Sequence, residues 1–364
     1  MRVLILSANT GGGHNSTASA LAEQFEKMNV DCEIMDALSM ISEKASNFIS
    51  WGHSYVYRKM PRLFGTAYRF EEKHPPQKIY DYFAKGAVGL QEKLLSECFD
   101  AVICVHVFAG MMMTEVRRRF GNPVPNYFVA TDYTCSPGVS SLDADAFFIP
   151  HRMLFGEFVR AMIGSDKLYA TGIPVQSRFY ERIDQREARK QLGLHEDGRV
   201  VLLGCGSIGC GKLDRHALEL ANRLPDDVTL VVLCGKNEEL ANDLSRFSSD
   251  TFVVVGFTKD VSLYMSAADV YLTKPGGLMT TEAIVKRLPM VFVDAVPGCE
   301  TRNFDFLSRS QVAEGTKNWK QAISVTARML EHSEMLEKQR DAMESFHRGI
   351  AAEQICRCVV KGNS

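Results

Sequence analysis

Two stretches of this 364-residue chain carry residue types at spacings suited to chemistry. The first is Lys274-Pro275-Gly276-Gly277-Leu278-Met279-Thr280, with Glu282 close behind. An apolar run at residues 270–273 precedes it and a helical pattern follows, so it reads as a strand-to-helix turn. Glycines at 276 and 277 let the backbone approach a ligand, and a helix opening there offers unpaired N–H groups to a phosphate. Glu282, in the first turns of that helix, can accept hydrogen bonds from a ribose. The competing reading is a plain βα turn of a parallel sheet. The second stretch is Gly11-Gly12-Gly13-His14, placed after the apolar residues 3–6. A histidine where a loop meets a helix N-terminus is held neutral and able to accept a proton. Its competing role is that of a helix cap.

Short apolar runs alternate with helical patterns along the chain and must position these residues. Strands are expected at residues 3–6, 33–36, 99–106, 125–131, 146–149 and 168–170, with Asp132 at the carboxyl end of the fourth. His14 and Asp132 then face the same sheet edge. Residues 172–175 (GIPV) read as a hinge. A second βα series follows, with strands at 200–203, 229–234, 252–255, 270–273 and 290–293. Its first strand leads into the glycine-rich turn holding Gly206, Ser207 and Gly209. The first glycine loop does not match the GxGxxG spacing of a dinucleotide site and no acidic residue pairs with it in the dinucleotide manner, and the second lacks the spacing of a Walker A loop, so NAD binding and ATP hydrolysis are not expected. The reading is α/β: two Rossmann-like domains facing a central cleft, at 1–171 and 172–345. The tail from Trp319 is expected to be helical throughout, with a last helix (346–364) crossing back to the first domain.

Composition narrows the partners. A net charge of −2 gives no global attraction to nucleic acid, which is not expected as a partner. The ten cysteines lack zinc-type spacing with histidine partners, and reduced thiols in a cytoplasmic protein are the better reading. The N-terminus does not read as a signal peptide, and no apolar run reaches the roughly 20 residues of a membrane span. Residues 44–74 differ from the rest. They hold Trp51, Tyr55, Tyr57, Phe64 and Tyr68 beside Arg58, Lys59 and Arg62, with no acidic residue between Glu43 and Glu71. Rings with interleaved cations suit an anionic membrane surface, core packing with a solvated edge, or stacking on nucleic acid. Met111-Met112-Met113 and Arg117-Arg118-Arg119 fall on one helix, either as a phosphate-holding apolar surface or as a buried cluster beside a solvated helix end.

The motifs together resemble one family. GGGH at 11–14, Thr131-Asp132-Tyr133, GIPV at 172–175, the glycine loop at 206–211, and KPGG…EA…LP…PG.E..N from Lys274 to Asn303 recur in it in this order. The chain looks like a lipid glycosyltransferase of the monogalactosyldiacylglycerol synthase and processive diacylglycerol glucosyltransferase type, with MurG a more distant relative. The resemblance covers about residues 1–345 and implies a GT-B fold with a UDP-hexose donor on the second domain. It implies that Phe257 and Thr258 meet the uracil and Glu282 the ribose. Gly206, Ser207, Gly209 and the helix start at Gly276, Gly277, Leu278, Met279 and Thr280 would hold the diphosphate, and Glu300 and Asn303 would address the hexose. His14 matches the presumed base, with Asp132 as an orienting group. The acceptor side would comprise Gly12, Gly13, Trp51, Tyr55, Arg58, Lys59, Arg62 and His106, and would favour residues 48–70 and 111–119 as the docking surface. The expected reaction is inverting and metal-free, on diacylglycerol or a related lipid, at the inner face of the membrane.

Two positions depart from the family pattern. Pro297-Gly298-Cys299-Glu300 carries a thiol where relatives carry glutamine, and residues 134–141 read TCSPGVSS where relatives often carry a histidine and an aromatic residue. The donor sugar and the acceptor pocket stay open at this point. A polyprenyl-linked or soluble acceptor, or a non-catalytic UDP-sugar sensor, are the alternatives.

Overall fold

The computed structural model describes residues 1–9, 12–42, 81–206 and 213–362, together with Gly52, Met60, Leu63, residues 65–68 and Phe70. The chain divides into two compact units. The first comprises Met1–Gln176, Val296–Cys299 and Arg348–Ser364; the second comprises Ser177–Ala295 and Glu300–His347.

The first unit is built on a six-stranded sheet of β1 (Arg2–Ser7), β2 (Asp31–Asp36), β3 (Ala101–Cys104), β4 (Asn126–Val129), β5 (Ala146–Ile149) and β6 (Leu168–Ala170). Their order is β2-β1-β3-β4-β5-β6 and every pair is parallel. Four of these strands, β1, β3, β4 and β5, are apolar and almost wholly buried, as a sheet covered on both faces requires. Helices of this unit include α1 (Gly12–Lys27), α2 (Ala87–Glu97), α3 (Val107–Phe120) and α4 (Phe155–Arg160). The chain rises through β1, turns to β2, then crosses back over β1 to β3. That reversal leaves a crevice outside the carboxyl ends of β1 and β3, where open α/β sheets bind ligands.

The second unit repeats the plan with β7 (Arg199–Gly204), β8 (Val228–Leu233), β9 (Phe252–Val255), β10 (Val270–Thr273), β11 (Met290–Phe292) and β12 (Glu314–Gly315), ordered β12-β11-β10-β7-β8-β9. Its helices are α5 (Gln185–Gln191), α6 (Leu213–Ala221), α7 (Glu238–Ser245), α8 (Val261–Ala267), α9 (Gly277–Lys286), α10 (Cys299–Arg309), α11 (Trp319–Glu331) and α12 (Ser333–Phe346). Here the reversal falls between β7 and β10, so the loops after those two strands flank the crevice.

The tail is not helical throughout. It breaks at His332 and again at residues 347–350 before α13 (Ala351–Gly362) begins. α13 packs on α1: Ala352, Ile355, Cys356 and Val359 share a core with Ala18, Leu21 and Phe25. Gly349 in the break has a φ of +91°, which a side chain would strain.

The 111–119 stretch presents no apolar methionine surface. Met112 and Met113 are fully buried and Met111 nearly so. Arg117 pairs with Asp143 and Asp145 and donates to the Val124 carbonyl, while Arg118 and Arg119 both bind Glu115. Core packing claims the sulfurs, and neighbouring carboxylates claim the cations. Trp51, Tyr55, Arg58, Lys59 and Arg62 lie outside the described residues. Among the described residues, no helix is long and apolar enough to cross a membrane.

Candidate active site

In the first unit, α1 opens at Gly12, so Gly12 and Gly13 are already helical and His14 occupies the first turn. A side-chain relay fixes the approach to that turn. Ser7 Oγ donates to Asn15 Oδ1 at 2.6 Å, Asn15 Nδ2 to Asn9 Oδ1 at 2.7 Å, and Asn9 Nδ2 to Asp36 Oδ2 at 3.0 Å. These three bonds tie the ends of β1 and β2 to the helix start. None of them is visible in a motif, because Ser7, Asn9, Asn15 and Asp36 meet only once the strands pair.

His14 Nδ1 lies 2.9 Å from the carbonyl oxygen of Val105, just after β3, and 3.2 Å from Thr131 Oγ1, just after β4. A carbonyl only accepts, so Nδ1 carries the proton and Nε2 keeps the lone pair. Solvent reaches part of the residue, yet burial lowers the ring's pKa from 6.5 to about 4, against the raising effect of the Val105 bond. The first turn of α1 adds to this, since its positive dipole end disfavours imidazolium. His14 is therefore a neutral ring with Nε2 as its proton-accepting atom.

His106 stands beside it, with ring centroids 4.5 Å apart and planes at 76°. Its Nδ1 accepts from the Phe108 N–H at 3.1 Å and caps α3. His151 has the same capping role, accepting from the Met153 N–H at 3.2 Å. Asp132 lies in a bend beyond β4, which ends at Val129, and its neighbour Thr131 reaches the His14 ring. The altered TCSPG segment is anchored from outside the motif: Glu157 Oε1 on α4 accepts from Thr134 Oγ1 at 2.6 Å and from the Cys135 N–H at 2.8 Å.

In the second unit, β10 delivers the chain to the KPGG turn, and α9 starts at Gly277. The cap residue, Gly276, has no side chain to satisfy the first N–H groups, and a Cβ built on it would meet open space. The helix therefore presents unpaired N–H donors and its positive dipole end to whatever binds there. Thr280 and Thr281 face the other way. Thr280 Oγ1 donates to the Gly276 carbonyl at 2.5 Å and Thr281 Oγ1 to that of Gly277 at 2.7 Å, bracing the first turn from within. Tyr271 Oη donates to Met279 Sδ at 3.4 Å. Gly206, at φ +84°, lies beyond β7 on the opposite side of the crevice, and Met279 is the nearest atom set to its missing side chain. Ser207 and Gly209 lie outside the described residues. Phe257 is exposed, its ring near Lys236 Nζ, while Thr258 Oγ1 accepts from the Asp260 N–H in the same turn.

Glu282 is the anomaly of this unit. It is only 7% exposed and makes no hydrogen bond among the described residues. Burial raises its pKa from 4.5 to about 8, with the Arg178 guanidinium pulling the other way. A carboxyl held this far from water is costly to the fold, so its presence on α9 points to a ligand that supplies donors. Glu300 is also buried, one residue into α10. Asn303 is fully buried and its Nδ2 donates to the Pro275 carbonyl at 3.0 Å, so in the free protein it fastens α10 to the KPGG turn. The Pro297-Gly298 turn before α10 is packed by residues 65–68. Gly298 has a φ of +123° with the Tyr68 ring against it, and a side chain on Gly65 would collide with Pro297.

Two doubly wound parallel units, the second with an open helix N-terminus and a buried carboxyl behind it, define the GT-B class of architecture. Residues 14–175 match the monogalactosyldiacylglycerol (MGDG) synthase family, and residues 200–296 match the glycosyltransferase family 28 C-terminal domain. These two matches in succession span most of the chain and mark it as a glycosyltransferase similar to the MGDG synthase type of family 28. A processive diacylglycerol beta-glucosyltransferase from Staphylococcus saprophyticus is 25% identical, over 98% of this chain and 91% of that protein. Among solved structures, MurG from Acinetobacter baumannii aligns with a TM-score of 0.64 at 15% identity, covering 99% of both chains. A UDP-GlcNAc 2-epimerase from Neisseria meningitidis, bound to UDP-GlcNAc, aligns at 0.65 and 14%, covering 99% of this chain and 100% of that one. The fold thus serves more than one chemistry, and the reaction must be argued from the residues.

Proposed function

We propose that this glycosyltransferase moves a hexose from a UDP-hexose to diacylglycerol or a closely related membrane lipid, with inversion, leaving a β-glycosyl lipid and UDP. The observation that carries the donor half is Glu282, buried behind the uncapped start of α9 with its carboxyl pKa raised by that burial. A diphosphate supplies the negative charge that the open N–H groups accept, and ribose hydroxyls supply the donors that the carboxylate lacks. Phe257 and Thr258 border the base, and Glu300 addresses the sugar. The name borne by the full-length relatives supports both the lipid acceptor and the β linkage.

In the reaction, the acceptor oxygen bonds to the anomeric carbon from the face opposite the phosphate. Its proton passes to Nε2 of His14, and the bond to the diphosphate breaks with both electrons leaving on UDP. A base with a pKa near 4 is weak, so it takes the proton late, once bond formation has acidified the hydroxyl. The start of α9 stabilises the charge that grows on the leaving group, and a metal has no part in this scheme. We place the reaction at the inner face of the membrane, with the lipid reaching the first unit from the bilayer.

The test is a donor screen. UDP-glucose, UDP-galactose and UDP-GlcNAc are each supplied with diacylglycerol in mixed vesicles, and products are identified by mass spectrometry. A β-hexosyl diacylglycerol from one donor, formed equally in EDTA, is the expected result. Turnover only with a soluble or polyprenyl-linked acceptor, or with none, would overturn the lipid assignment.

A further inference from the structure

Trp319, at the start of α11, touches both the segment that leaves β11 and the helix α6. Its indole Nε1–H donates to Asp294 Oδ2 at 2.6 Å. On its face lies the ring of His216, with centroids 4.4 Å apart and planes within 7° of parallel. Each neighbour belongs to a different element. Asp294 stands where the chain leaves β11, after Val293 has extended the ladder by donating to the Thr273 carbonyl at 2.9 Å. From there the chain runs into Pro297-Gly298-Cys299-Glu300. His216 lies on α6, the helix behind the glycine-rich loop that follows Gly206.

Asp294 also adopts an uncommon backbone conformation, with φ at +46°. A non-glycine residue there stores strain unless something over-determines it. The indole is well placed to do so, because it is 7% exposed and anchored in the apolar core of the second unit with Ala322, Ile323 and Met329. A buried indole needs only some acceptor for its N–H. Using the left-handed Asp294 carboxylate fixes the direction in which the chain departs from the sheet.

We propose that Trp319 is a positioning residue for the donor site: by edge and by face it sets the exit of the sugar-addressing loop at Asp294 against the helix of the phosphate-holding loop at His216. This rests on the UDP-hexose reading above. The indole supplies a rigid link between the chain leaving β11 and α6.

The experiment compares Trp319→Phe, Asp294→Ala and Asp294→Asn in the full chain. Phenylalanine keeps the stacking and loses the N–H; alanine removes the acceptor from an exposed position and is the variant that decides the matter if Trp319→Phe fails to fold. Both should raise KM for the UDP-hexose about tenfold while kcat changes little, the scale of one hydrogen bond to a charged group. Asn, whose amide oxygen still accepts, should recover most of the loss. In a Trp51→Phe background Trp319 is the sole tryptophan, since the chain has two. Its emission should change on adding the UDP-hexose, and the change should be blunted by Asp294→Ala. An unaltered KM in Asp294→Ala, or emission unmoved at saturating donor, overturns the coupling while leaving the donor reading intact. A wild-type protein that neither binds UDP by calorimetry nor turns over any UDP-hexose overturns both.

Discussion

His14 Nδ1 lies 2.9 Å from the Val105 carbonyl oxygen, and that carbonyl is held in place because the Val105 N–H donates to the Leu6 carbonyl at 3.0 Å. The tautomer of the proposed base is thus set by the sheet itself. Backbone geometry cannot be titrated or mutated away, so Nε2 remains the basic atom as long as β1 and β3 pair. A carboxylate partner would have raised the ring's pKa; a carbonyl orients it with far less effect on its basicity.

Replacing His14 by alanine should lower kcat by a factor on the order of 10² to 10⁴, the range for loss of a general base. UDP affinity, measured by calorimetry, should be unchanged, because the proposed nucleotide contacts all lie in the second unit. A variant that retains full turnover would remove His14 from the mechanism.

Glu282 should make donor binding depend on pH. Its carboxyl pKa is raised to about 8 in the free protein, and the ribose hydroxyls prefer the ionised form, so UDP binding near neutral pH should release a proton. Calorimetry in buffers of different ionisation enthalpy would detect it. For stability the sign is opposite to that of a salt-bridged carboxylate. The folded pKa lies above the reference 4.5, the native state holds the extra proton, and Tm of the free protein should fall as pH rises from about 4.5 to about 8. Glu282→Gln should flatten both profiles and weaken UDP binding.

Glu157 should matter to the acceptor and not to the donor. Glu157→Ala releases the Thr134 hydroxyl and the Cys135 N–H, a loss of about 1–3 kcal/mol in stability. It should raise KM for the lipid with little change for UDP-hexose. Glu157→Gln retains an accepting oxygen and should behave close to wild type; equal lipid KM in all three proteins would count against a role in the acceptor loop.

Membrane attachment should reside in the aromatic and basic segment and not in α3. Arg58→Glu, Lys59→Glu and Arg62→Glu together should abolish co-sedimentation with anionic vesicles. Arg117→Ala should instead lower Tm, because it breaks the pairing with Asp145, while vesicle binding persists. Unchanged sedimentation of the triple variant would return those residues to a packing role.

Much of this protein is legible in its sequence. The strands at residues 146–149, 168–170, 252–255 and 270–273 stand where short apolar runs bounded by turn residues place them. Glycine at 276 and 277 already announces a turn that opens a helix, since local backbone freedom is a property of the residue. The end of β4 and the break at residues 347–350 were less legible, because a strand stops where its partner stops and Gly349 competes with a helical pattern on both sides.

What the tertiary structure alone decided is where each side chain's partner comes from. Strand order put β3 and β4 beside β1, and so brought Val105 and Thr131 to a histidine about a hundred residues away in the chain. The same packing buried Met112 and Met113, took Arg117 for Asp145, and shut Glu282 away from donors on α9. Residue types specify which chemistry is available locally, through charge, hydrogen-bonding groups and backbone freedom. Long-range pairing and burial decide which of those groups is neutral, which is fastened, and which is left waiting for a ligand.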